Sequence, residues 1–177
     1  MKLSKGKLAL IVIIIVVLLI LVSLVSSYNE LVRLDQEVDA NWSEIKNQDQ
    51  RKLDLIPQLV TLLQGYQEFE SSTLEEITAL RSGYLNATTD QERANISMQM
   101  SAQFNGIRIS FEQYPYLNSI ESLLGVQDEI AGTENRIAYA RSQYIDSVKE
   151  YNTKVRSFPT NIVADMFGFE ERDNLFD

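Results

Sequence analysis

Residues 8 to 25 read LALIVIIIVVLLILVSLV, an 18-residue run whose one polar member is Ser23. As a helix it is about 27 Å long at 1.5 Å of rise per residue. The hydrocarbon core of a bilayer is about 30 Å thick, and a segment crossing it must pair its own backbone groups, so the run is predicted to be a transmembrane helix. Its flanks differ. Lys2, Lys5 and Lys7 precede it, only Arg33 follows shortly after, and every acidic residue lies beyond residue 27. The Lys/Arg bias holds residues 1–7 in the cytoplasm and sends the rest of the chain outward. A cleaved signal peptide is the rival reading, but the apolar run exceeds the usual length of about 7–15 residues and no A-x-A site follows it. The expected organisation is a cytoplasmic segment 1–7, a single-pass helix 8–27, a bundle 28–158 and an amphipathic tail 159–177. The bilayer is the partner of residues 8–25.

Composition narrows what the remaining 150 or so residues can do. Three of the 16 Lys and Arg precede the apolar run, so the later residues carry 13 against 25 Asp and Glu, a net charge of −12. Nucleic acid is excluded as a partner on that balance, because phosphate binding needs a basic patch. There is no Cys and no His. Thiol lipidation, disulfides and Cys or His nucleophile systems are therefore impossible. The commonest metal ligand is missing as well.

Beyond Tyr28, Leu31, Val38 and Ile45 recur every seven residues, with Leu34 and Trp42 on the same face. That period marks one side of a helix. Pro57 then interrupts it, and proline inside a helix costs about 3 kcal/mol. The cost largely vanishes in a first turn. A turn at Asp54 with a new helix from residue 55 is therefore preferred; one kinked helix from 28 to 84 is the alternative. From there the stripe is Leu55, Ile56, Leu59, Val60, Leu63, Tyr66, Leu74, Ile77 and Leu80, ending near Gly83. Thr89 and Glu92 form a capping box for the next helix, which carries Met100, Phe104, Ile107 and Phe111 as core and stops at Tyr114-Pro115. Asn118 and Glu121 open the last long helix. Its seam is Leu123, Ile130, Ile137, Tyr144, Tyr151 and Phe158, with Ile120, Gln127, Glu134, Arg141, Val148 and Val155 as companions. No stretch alternates with period two. The fold class is all-α: one N-terminal transmembrane helix followed by an antiparallel, coiled-coil-like bundle of four helices, or of three if the first is long and kinked.

These stretches together resemble the LemA family of membrane proteins. The resemblance rests on Tyr28-Asn29-Glu30-Leu31-Val32, Trp42, Arg51, Asp54-Leu55-Ile56-Pro57-Gln58-Leu59-Val60, Gly65-Tyr66 and Tyr114-Pro115. It continues through Thr133-Glu134-Asn135-Arg136-Ile137-Ala138, Ala140-Arg141, Tyr151-Asn152 and Phe158-Pro159-Thr160-Asn161. Asn29, Trp42, Arg51, Asp54, Pro57, Asn152 and Pro159 are its signature residues. It implies the same membrane helix and bundle, and no reaction. Phe69 stands where the family usually has His, and Ile145 where it has Asn.

No catalytic, cofactor-binding or metal-ligating residue is assigned. Glu-x-x-His pairs, Gly-rich phosphate loops and calcium loops are missing. Glu75/Glu76 and Glu170/Glu171 are adjacent in sequence and read as solvated faces. Asn41-Trp42-Ser43, Asn86-Ala87-Thr88 and Asn95-Ile96-Ser97 match the glycosylation sequon by chance-prone triplets. Gln127, Glu134 and Arg141 form a polar seam that is expected to set helix register. Arg141 is expected to pair with Asp35, Glu75 or Glu76. Two functions follow: a membrane-anchored scaffold or adaptor with a protein partner, its oligomeric state open, or a sensor whose polar seam takes a small ligand.

The lysine bias makes a direct prediction. Protease added outside intact spheroplasts should digest residues 28–177. Protection until lysis would reverse the orientation.

Overall fold

The computed structural model describes residues 5–64, 71–113 and 121–176. Those residues form α1 (Lys5–Leu63), α2 (Ser71–Asn86), α3 (Asp90–Gln113), α4 (Glu121–Arg156) and α5 (Thr160–Phe167). The chain divides into two compact units. One comprises Met1–Ala40 with Asp146–Asp173, the other Asn41–Ile145 with Asn174–Asp177. Tyr66, Phe69, Glu70, Pro115 and Asn118 lie outside the described residues.

In the first unit, α1 contains an 18-residue window of mean hydropathy 3.7, long and apolar enough to cross a membrane. Its side chains from Leu8 to Val22 face outward without protein cover. Beyond the span, Leu31, Leu34 and Val38 are buried with Val148 and Tyr151 of α4 and with Val163 and Ala164 of α5. Gly168 ends α5 in the left-handed region, at φ 75°, and its N–H donates to Ala164 O, the usual glycine stop. The chain then returns along α1. Tyr28 meets the rings of Phe167 and Phe169 at 4.9 and 5.7 Å. Asn152 fixes the tail twice, donating to Arg172 O at 2.8 Å and accepting from Arg172 N at 2.9 Å. The Arg172 guanidinium closes on Asp35 and Asp39.

The second unit is an antiparallel bundle of α1, α2, α3 and α4. Residues 87–89 join α2 to α3, too short a link for anything but antiparallel neighbours. The expected capping box is present: Thr89 Oγ1 accepts from Glu92 N, and Glu92 reaches back to Thr88 N. Leu53, Ile56, Leu59, Leu63, Ile77, Met100, Phe104, Ile107, Phe111, Leu123 and Ile130 make the core. Gly83 does not end α2. It sits inside the helix, where a Cβ would meet Ile96 Cδ1 of α3 at 3.5 Å.

The turn expected at Asp54 is absent. α1 runs through Asp54 and Pro57 to Leu63, so neither a helix starting at 55 nor one reaching 84 is correct. Four helices still build the bundle, with the break later in the chain. The physical reason is visible at the proline. Pro57 has no N–H for Leu53 O, four residues back, and Leu53 is buried. Arg81 of α2 supplies the missing donor, its Nε lying 3.0 Å from Leu53 O. Leu55 and Ile56 before the proline and Leu59 and Leu63 after it are all buried, so both sides of the proline are anchored in the core.

This predicts a coupling. Arg81→Met should orphan a buried carbonyl and cost about 1–3 kcal/mol in urea denaturation. In a Pro57→Ala background the restored N–H should remove most of that cost. An equal loss in both backgrounds would mean that Arg81 does not serve the proline gap.

Candidate functional site

The heptad of α1 continues past Ile45 to Lys52, and the companion series runs from Trp42 to Asp49. Both polar residues therefore face the core of the second unit, and both are fully buried. Lys52 Nζ lies 2.8 Å from Glu134 Oε1 of α4 and 3.7 Å from Asp49 Oδ1. It also donates to Ser101 Oγ of α3 at 3.0 Å. Ser97, one turn earlier on α3, relays between charges: its Oγ donates to Asp49 Oδ1 at 2.7 Å and accepts from Arg141 Nη2 at 2.7 Å. Two cations and two carboxylates on α1 and α4, bridged by two serines of α3, thus form one set with no net formal charge. A second pairing lies beside it, where Arg136 Nε donates to Gln48 Oε1 at 3.1 Å and Arg136 Nη2 to Thr133 Oγ1.

Burial governs the electrostatics. It raises the Asp49 pKa, while Lys52, the Ser97 hydroxyl and Arg141 pull it back. It lowers the Arg141 pKa against the opposing charges of Asp49 and Glu134. Tyr84 of α2 is pushed up by burial and then by the Asp49 charge. Its hydroxyl and Asp49 Oδ2 complete no hydrogen bond among the described residues.

Of the expected seam, Glu134 and Arg141 join this network. Gln127 does not; its Nε2 is buried without a hydrogen-bond partner among the described residues. It lines a cavity of about 210 Å³ together with Leu59, Phe104, Phe111, Ile130 and Glu134. The partner expected for Arg141 is wrong. Asp35 is held by Arg172, Glu75 and Glu76 are exposed, and Arg141 uses Ser97. Its guanidinium also lies over the Phe176 ring, 5.1 Å from the centroid. Phe176 in turn packs on Trp42 and Tyr144 at 6.1 and 5.8 Å.

The remaining signature residues fall in several roles. Trp42 is core. Pro57 and its consequence for Leu53 are structural, and Asn152 pins the tail. Asp54 is exposed and accepts from Gln50 Nε2 at 2.9 Å. Asn29 and Arg51 are exposed. Pro159 precedes α5, joined to Phe158 by a cis peptide bond. Lys52 and Asp49 are the residues that sequence reasoning passed over. Carrying the heptad of Leu31, Val38 and Ile45 one step further would have found Lys52.

Two outcomes are expected. Lys52→Met leaves buried carboxylates without their shared cation and should cost about 3–5 kcal/mol in chemical denaturation. The raised pKa of Asp49 means that the folded state holds this proton more tightly than the unfolded state. Its stabilising contribution is complete below the unfolded carboxylate value, about 4, and is lost as pH rises through the folded pKa. Asp49→Asn cannot ionise, so stability measured from pH 4 to 8 should lose that downward component. A variant profile parallel to wild type would contradict the assignment.

Comparison with known proteins agrees with the residues. The model of the LemA family matches residues 41–176. Protein LemA of Metamycoplasma hominis is 30% identical over 141 residues, covering 79% of this chain and 64% of that protein. Magnetosome proteins MamQ 1 and MamQ 2 of Paramagnetospirillum magneticum are each 22% identical over 177 residues, covering 85% of this chain and 65% of theirs. The chain thus spans a little under two thirds of the length of these curated relatives, and none of their names denotes an enzyme. With the apolar helix ahead of the matched residues, this chain is a membrane-associated protein and belongs to the LemA family.

Proposed function

We propose that the protein is a non-enzymatic, membrane-anchored scaffold whose second unit presents its outer helix faces to a protein partner on the extracytoplasmic side. The observation that carries this reading is the inward closure of the charged set. Lys52, Asp49, Glu134 and Arg141 engage one another and two serines, with Asp49 Oδ2 and Arg141 Nε left without a hydrogen bond among the described residues. Of the four, Glu134 borders the cavity beside Gln127, but its Oε1 is taken by Lys52, whereas a catalytic or ligand-binding group would be turned toward an incoming molecule. Spent internally, they fix the register of α1, α3 and α4, the best-attested use of buried polar groups in helical bundles. The lysines before the span support the orientation.

Site-specific photocrosslinking in intact membranes tests the scaffold. Tyr139 on α4 is 69% exposed. A photoreactive residue there should give one discrete adduct with another protein, absent when the probe is moved to the core position Ile137. Smeared or lipid-only adducts would contradict it.

The cavity beside Gln127 favours a second reading, a small-ligand module. A pocket of about 210 Å³ with a buried, unpartnered amide has the size and a polar handle for a small polar molecule. Non-denaturing mass spectrometry of wild type and Ala131→Phe separates the two. A mass increment present in wild type and lost in the variant selects the module.

A further inference from the structure

We propose that the outward face of α5, made by Ile162 and Met166 with the Phe167 ring and preceded by the exposed Phe158, is a lipid-binding surface lying in the headgroup layer beside the α1 span.

The helix has two faces. Val163 and Ala164 are buried against the first unit, whereas Phe158 is 80%, Ile162 45%, Met166 66% and Phe167 59% exposed. Ile162 and Met166 are spaced by four, one stripe of the helix, and Phe158 lies two residues before its first turn. Large apolar side chains gathered on one exposed face mark an interaction surface.

The position of that face selects lipid as the occupant. Tyr28 stands three residues past Val25, about 4.5 Å further along the axis. The interfacial layer on each side of the hydrocarbon is roughly 5–7 Å deep, so Tyr28 lies within it. The Phe167 ring is 4.9 Å from Tyr28 and Phe169 is 5.7 Å from it. The other end of the stripe is placed by α4. Lys154 lies in electrostatic reach of Glu30, and Glu150 of Arg33. That antiparallel register brings the end of α4, at Arg156, level with Tyr28, and α5 begins four residues later. The exposed face of α5 is therefore continuous with the apolar surface of the span.

Charge indicates how it binds. Arg156 is paired with Glu171, and Arg172 with Asp35 and Asp39. Asp165 flanks the stripe and is exposed. α5 itself carries no Lys or Arg to meet anionic headgroups, and the carboxylate keeps its side of the helix in water. Binding is shallow, apolar and independent of lipid charge, as for an amphipathic segment lying in the interface.

The chain has no cysteine, so single-site spin labels are clean. Full-length Ile162→Cys and Met166→Cys, labelled and reconstituted in phosphatidylcholine vesicles, should show a several-fold higher ratio of oxygen to nickel-chelate collisions than Tyr139→Cys. The ratio should not change with added phosphatidylglycerol. Ratios equal to that of Tyr139→Cys would mean that the face meets water and would overturn the proposal. Exclusion of both reagents with concentration-dependent dipolar broadening would mean that a second copy covers it, and would overturn it equally.

Discussion

A lysine ammonium with no solvent contact is the constraint around which the second unit is built. Removing such an ion from water costs several kcal/mol even after relaxation. Lys52 is tolerated only because Glu134, Ser101 and Asp49 meet it from three helices. Each partner has a further obligation. Asp49 needs Ser97, Ser97 holds Arg141, and Arg141 is roofed by Phe176. A one-residue slip of α3 or α4 would therefore strand charges as well as misplace methyl groups. The hydrophobic core alone would not distinguish neighbouring registers so sharply, since Leu, Ile and Met can repack.

A helix that must carry both Lys52 and the core residues Leu59 and Leu63 on one stripe cannot break between them. Pro57 falls in that interval, and the fold accommodates it with an arginine from the neighbouring helix. The proline gap and the buried lysine are thus linked through the continuity of α1.

Much of this was legible in the residues. The apolar run, the heptads of α1 and α4, the capping box at Thr89 and the Met and aromatic core of α3 all follow from spacing. The error at Asp54 came from weighing proline by its local cost, when a side chain 24 residues further along cancels that cost. Lys52 was missed because its charge sits at the last heptad position before the expected turn, where a helix end would have left it to solvent. The partner of Arg141 was missed because a turn at Asp54 would place different residues beside it. The division into two units leaves no trace in composition, since α1 and α4 pass unbroken through residues 40–41 and 145–146. Nor does any pattern say that Phe176 packs on Trp42.

The claim that the charged residues act as one structural set is tested most directly by replacing the whole set. Asp49→Leu, Lys52→Met, Glu134→Leu and Arg141→Met are combined, and stability is measured by urea denaturation beside each single variant. A buried ionic set exchanged entirely for apolar groups is commonly neutral or stabilising, whereas removal of one member is costly. The account predicts that the quadruple variant recovers most of the stability lost in Lys52→Met. A loss close to the sum of the four single losses would show that the groups act independently and that the network does not hold the bundle together.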